Sequence, residues 1–119
     1  MNTRTAIGFD MGATTTKTGV VRDGKIILRG DIIKTRQDGD TGALIDAFVQ
    51  EIRRLKTIHS ETEAVGFGVP GIINPVEGLV VNLTNVKGWH NIALRSIIVA
   101  QTGNVSSRIG VPAGCLNRI

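Results

Sequence analysis

Tyrosine is absent from this 119-residue sequence, tryptophan occurs once and phenylalanine three times, so aromatic residues make up only 3% of it. A core with so few large rings has to be filled by Ile, Val, Leu and Ala. The 15 glycines point to several turns and close backbone approaches, an α/β composition. Cys115 is the single cysteine, which excludes an intramolecular disulfide framework or a multi-cysteine zinc site within the chain and fits a reducing compartment. No apolar run approaches the ~20 residues of a membrane-spanning helix, and Met1-Asn2-Thr3-Arg4-Thr5 leads into a short strand-like segment, not a signal-peptide core. A cytoplasmic protein without membrane association is expected. Repeats, low-complexity tracts and a dividing linker are also missing, and the length suits one domain with a modest core.

The formal charge of +4 comes from Lys and Arg spread along the chain. Only Arg53, Arg54 and Lys56 cluster, on what reads as a solvated helix face. With no longer basic run and no interleaved aromatics, a nucleic-acid partner is not expected.

Ala6 to Asp10 is a short apolar run closing on a carboxylate, followed by the tight turn Met11-Gly12-Ala13-Thr14. Thr16 to Arg22 reads as a second strand, joined through Asp23-Gly24 to a third from Lys25 to Ile33. Asp-Gly between β-rich runs is a strong hairpin signal because both residues tolerate positive φ. After capping oxygens in Asp38-Gly39-Asp40-Thr41, the spacing of Leu44, Ile45, Phe48, Ile52 and Leu55 predicts a helix over Thr41 to Thr57. Ala64 to Phe67 and Leu79 to Val81 read as strands and Ile92 to Gln101 as a second helix ending near Gly103. Gly103 to Ile119 shows no periodicity. Three strands, a helix and a returning strand are the opening of a ribonuclease H-like, actin-type ATPase fold, a mixed sheet with flanking helices.

Asp10-Met11-Gly12-Ala13-Thr14-Thr15-Thr16-Lys17 puts an acid, a glycine turn, hydroxyls and a lysine within eight residues. Such a cluster suits a nucleoside triphosphate: glycine lets backbone N–H groups approach phosphate oxygens, threonines add donors, Lys17 offers positive charge, and Asp10 can hold Mg²⁺ directly or through water. The spacing is not that of a Walker loop, and the hairpin makes the turn link two strands, not a strand and a helix. A bland turn with an exposed aspartate is as common a meaning for this segment alone, and Lys17 can equally be an outward strand residue.

Gly66-Phe67-Gly68-Val69-Pro70-Gly71 satisfies the spacing of a dinucleotide fingerprint. That motif must open a helix, however, and Pro70, Asn74-Pro75 and Gly78 forbid a regular one there, so these glycines are assigned to a loop. The loop runs on through Asn74-Pro75-Val76-Glu77-Gly78 to Asn82-Leu83-Thr84-Asn85 and Gly88-Trp89. Its amides and backbone polar groups suit a neutral sugar, whose hydroxyls both donate and accept, and Asn85 with Gly71 as a close backbone approach are the chosen contacts. Trp89 is expected to be a packing residue, Glu77 a turn residue, and His59 and His90 surface residues.

Ile7-Gly8-Phe9-Asp10-Met11-Gly12-Ala13-Thr14, then Gly68-Val69-Pro70-Gly71, then Asn85 with Gly88-Trp89, taken in this order, resemble the ROK family of sugar kinases and sugar-responsive repressors from about Ala6 to Ile98. The resemblance implies two actin-like lobes, ATP with Mg²⁺, and a hexose or amino-sugar substrate. Asp10, Gly12, Thr14 and Lys17 fall on its phosphate-loop positions and Gly71 and Asn85 on its sugar positions. The family's general base is an aspartate following an asparagine. Asn117 can take the asparagine's place here, but Arg118 stands where the aspartate belongs and cannot accept a proton. The zinc motif and the second lobe have no counterpart in the chain. The resemblance therefore implies the N-terminal part of a glucokinase-like enzyme, truncated and inactive alone: residues 1–102 an actin-like lobe and 103–119 a divergent tail. The sugar-sensing domain of a repressor is the alternative, disfavoured because the first strand begins within a few residues of Met1. A lobe without its partner exposes apolar surface and a sheet edge, so self-association is expected.

Overall fold

The computed structural model describes residues 4–35, 40–83 and 86–103 in full, and the backbone of 106–110. A larger sheet contains β1 (Thr5–Met11), β2 (Thr15–Arg22), β3 (Lys25–Arg29), β4 (Ile33–Lys34), β5 (Ala64–Gly68) and β9 (Ser106–Gly110). Its order is β3-β2-β1-β5-β9, with β4 also on β2. The smaller sheet has the order β6 (Gly71–Asn74), β7 (Leu79–Leu83), β8 (His90–Ile92). The helices are α1 (Thr41–Ile58) and α2 (Leu94–Thr102).

β1, β2 and β3 form an antiparallel meander, and β5 returns parallel to β1 after α1. This mixed sheet with flanking helices is the fold expected from the order of the elements. Asp23 and Gly24 both take positive φ at the predicted hairpin turn (53° and 74°). Ile7, Phe9 and Met11 alternate into the core from β1, Val65 and Phe67 from β5, and Leu44, Phe48, Ile52 and Leu55 from one face of α1. Asp40 caps α1 by accepting a 2.9 Å hydrogen bond from the Ala43 amide.

The scarce aromatics are spent in one place. Phe9 and Phe67 are register partners whose rings stack at 4.6 Å, Phe48 meets Phe9 edge-on at 5.1 Å, and Trp89 lies 6.4 Å from Phe48. Trp89 is only 1% exposed, a packing residue as expected. Contacts of this kind add about 0.5–1.5 kcal/mol each beyond the area buried.

Four local expectations need correction. The third strand does not run from Lys25 to Ile33. It stops at Arg29, because the Gly30 amide bonds to Thr18 O at 3.0 Å while the next residue turns its own amide toward Glu51 on α1. Gly30 cannot carry a side chain there, since a Cβ would overlap the Thr18 hydroxyl and the Glu51 carboxylate. The segment assigned to a loop after Gly68 instead forms β6, paired with β7 around a 75–78 turn in which Asn74 Oδ1 accepts from the Glu77 amide at 3.2 Å. Ile92 belongs to β8, where it pairs with Val80, and α2 starts only at Leu94. Finally, β9 lies in the stretch whose pattern predicts nothing. It runs parallel to β5, with Ala64 opposite Ser106 and Gly68 opposite Gly110. For β3, Ile92 and β9 a backbone partner outside the local stretch decides the outcome, which local periodicity cannot report, whereas β6 is one arm of a hairpin.

Candidate functional site

β1 alternates Phe9 and Met11 into the core, and this forces Asp10 onto the opposite face, where it is half-buried. In register, Asp10 stands opposite Lys17 on β2 and opposite Gly68 on β5. Directly opposed residues share a face, so the carboxylate and the Lys17 ammonium belong to one patch. Lys17 occupies an exposed position between buried Thr16 and Thr18.

Between these strands the turn is closed by the Gly12 amide, which donates to Thr15 O at 2.9 Å. A Cβ on Gly12 would stand 2.8 Å from that same oxygen, so only glycine fits the turn. Gly12 thus shapes the bend, and backbone contacts with an anion fall to the residues after it. Thr14 is exposed, and its carbonyl accepts the Thr35 amide at 2.9 Å. Beneath the turn, the hydroxyls of Thr16 and Thr35 meet at 2.8 Å, both at most 1% exposed. Sequence reasoning missed this brace. The signal was present in the alternation of Thr16, Lys17 and Thr18, which sends the hydroxyls inward.

Farther along β2, Glu51 of α1 is only 6% exposed yet carries a carboxylate. Its Oε2 accepts from the Asp31 amide at 2.6 Å and from the Thr18 hydroxyl at 3.3 Å, while Arg54 donates to both oxygens at 2.7 and 2.8 Å. Burial pushes the Glu51 carboxyl up, but the Arg54 hydrogen bond, the Asp31 amide, the Arg54 charge and the Thr18 hydroxyl together outweigh it and hold it below the usual carboxylate range. The same pairing raises Arg54. Of the basic cluster on α1, Arg54 is therefore taken by Glu51, and Arg53 donates to Gln101 O at 2.7 Å.

The second bend starts from β5, the strand beside β1. Because these two strands are parallel and Asp10 is level with Gly68, both bends leave the sheet at the same end, Gly71 lying three residues beyond Gly68. Ligands of open α/β sheets gather beyond such strand ends. Gly71 opens β6 opposite Leu83, and a Cβ on it would overlap Asn82 O and stand 2.8 Å from Leu83 Cδ2. Strand pairing alone therefore demands glycine at this position. Asn85 lies outside the described residues, as do Asn117 and Arg118. His90 is exposed, and His59 Nδ1 lies 3.0 Å from Glu61 Oε1.

Among the described residues no three His, Cys, Asp or Glu side chains converge as a metal cage. A lone carboxylate at a glycine turn is the donor set that fits Mg²⁺ carried in on phosphates, since that ion keeps waters and takes only one or two protein carboxylates. Nor is any helix among the described residues long and apolar enough to cross a membrane.

Comparison with known proteins gives the family and the fold. The chain is 27% identical over 95 residues to a beta-glucoside kinase of Listeria monocytogenes, covering 80% of this chain and 31% of that protein. It is 30% identical over 97 residues to the glucokinase of Thermotoga maritima, covering 82% of this chain and 30% of that one. The chain thus spans under a third of the length of these relatives. In structure it matches a ROK family glucokinase from Streptomyces griseus, solved in complex with glucose and AMPPNP, with a TM-score of 0.78 over 90% of this chain and 33% of that one at 23% identity. The actin-like ATPase fold is shared with such sugar kinases. With the ROK family model matched across residues 6–113, the chain belongs to the ROK family.

Proposed function

We propose that this chain is the phosphate-binding and part of the sugar-binding half of an ATP-dependent hexose kinase, a glucokinase-like N-terminal lobe. The single observation that carries the reading is the register of β1 with β2 and β5, which sets Asp10 beside Lys17 and level with Gly68, so that two polar bends share one sheet end. In the proposal, Asp10 holds Mg²⁺ through water, Lys17 and Thr14 contact phosphate oxygens, and Gly12 keeps the turn tight enough for backbone approach. Bound Mg²⁺ neutralises charge on the transferring phosphoryl group. Gly71 and Asn85 take the sugar, a hexose by analogy with the glucokinase and beta-glucoside kinase relatives. A cytoplasmic setting fits ATP chemistry.

Transfer also needs a base for the sugar hydroxyl and a surface that holds ATP in line with it. Arg118, at the position where family resemblance expects an aspartate, cannot serve. We therefore assign to these 119 residues ligand binding without turnover. Calorimetric titration with MgATP and with glucose, followed by a coupled assay for ADP, tests both halves. Saturable MgATP binding lost in Asp10→Ala, with no glucose-dependent ADP release, is the expected result. Absence of binding refutes the phosphate reading, and Asp10-dependent turnover refutes the assignment as inactive.

A further inference from the structure

We propose that β4 forms a second wall of the phosphate site and that Lys34 supplies it with another cationic contact for the polyphosphate chain. This rests on reading the Asp10–Lys17 turn as a phosphate site. β4 is two residues long, too short to define its own position, yet it is fixed on both sides. Ahead of it, the Gly30 amide bonds Thr18 O at 3.0 Å and the Asp31 amide bonds the buried Glu51 carboxylate at 2.6 Å. Behind it, the Thr35 amide bonds Thr14 O at 2.9 Å and the Thr35 hydroxyl meets Thr16 in the core at 2.8 Å. The segment is thus tied to the turn itself and not merely to the sheet.

Register fixes what this achieves. Ile33 pairs with Thr16 and points with it toward the core, so Lys34, directly across from Thr15, takes the opposite, exposed face. That is the face shared by Lys17 and Asp10. Lys34 and Lys17 are diagonal neighbours there, about 7–8 Å apart. A polyphosphate chain lying over Thr15 can meet both ammonium groups at different phosphoryl groups, with Asp10 on the far side of Lys17 for the metal. A second lysine beside the turn adds positive charge along a polyphosphate chain that one lysine beside an aspartate meets at a single point. Thr35 acts as the positioning residue, because its amide and hydroxyl hold β4 to the turn.

The test is calorimetric titration of the full chain with magnesium tripolyphosphate at low salt, comparing wild type with Lys34→Met, Lys34→Arg and Lys25→Met. Lys25 lies at the opposite end of β2 from the turn, paired with Arg22, and removes the same unit of charge. An exposed charge-assisted contact predicts a roughly five- to tenfold weaker Kd for Lys34→Met, near-wild-type binding for Lys34→Arg, and less than about a twofold change for Lys25→Met. Unchanged melting temperatures keep the comparison one of binding. Equal losses in Lys34→Met and Lys25→Met overturn the role of Lys34 while leaving the turn a phosphate site. Failure of the wild type to bind tripolyphosphate removes the underlying reading and this inference with it.

Discussion

Replacing Glu51 by alanine probes how the segment beside the phosphate turn is held. Glu51 is the shared acceptor for the Asp31 amide, the Thr18 hydroxyl and both guanidinium donors of Arg54. Truncation removes the charged acceptor of the Asp31 amide, a part-buried bond worth about 1.5–3 kcal/mol. Thr18 retains a 3.2 Å bond to Asp31 O, and Arg54, 44% exposed, can turn to solvent, so neither adds much. Removal of the carboxylate's own desolvation offsets part of the loss. The expected destabilisation is about 2 kcal/mol. For a chain of this length an unfolding entropy of ~2.1 cal/mol/K per residue turns that into a fall of roughly 8 °C in Tm. The pH dependence gives a second reading. Because the folded Glu51 carboxyl lies below its ordinary value, its contribution is full above the unfolded pKa of about 4.3 and is lost as pH falls through the lower folded value. Urea melts at pH 7 and at pH 3 should therefore show the gap between wild type and Glu51→Ala narrowing in acid. A gap under about 0.5 kcal/mol at pH 7, or one that widens in acid, refutes the reasoning.

Other substitutions test separate features. Gly12→Ala drives a Cβ to 2.8 Å from Thr15 O and should cost about 1–3 kcal/mol by thermal denaturation, together with whatever MgATP affinity the chain has. Thr35→Val leaves the Thr16 hydroxyl without its 2.8 Å partner in a site closed to water, a loss of about 1–2 kcal/mol that denaturant melts should resolve. Gly78→Ala introduces a side chain at φ 69°, against the Arg95 side chain that donates to Val76 O at 2.7 Å. A loss of about 1–2 kcal/mol is expected, with faster amide exchange in β6 and β7.

Periodicity and turn chemistry made much of the larger sheet readable in advance. The Asp23-Gly24 hairpin, the apolar stripe of α1 and the apolar run at β5 are local signals, and each fold element they mark is present. The placement of Asp10, Gly12, Thr14 and Lys17 around one turn follows from the same logic, because a hairpin brings its two strand ends together whatever else the chain does. Rejection of the dinucleotide motif was also legible, since Pro70 and Asn74-Pro75 preclude the helix it requires, and the chain forms β6 there instead.

What local pattern could not report was decided by partners far away in sequence. β3 ends where the Asp31 amide turns to Glu51, on a helix still to come, and position 30 is glycine because the Thr18 hydroxyl and that same carboxylate occupy the space a side chain would need. β9 is a strand because β5 offers it a parallel edge, and Ile92 leaves the helix because β7 pairs with it. The sequence by itself determined the order of elements and the residue types at the first bend. Only the tertiary structure placed the second bend beside it, because Asp10 and Gly68, 58 positions apart, become neighbours solely through the parallel pairing of β1 with β5.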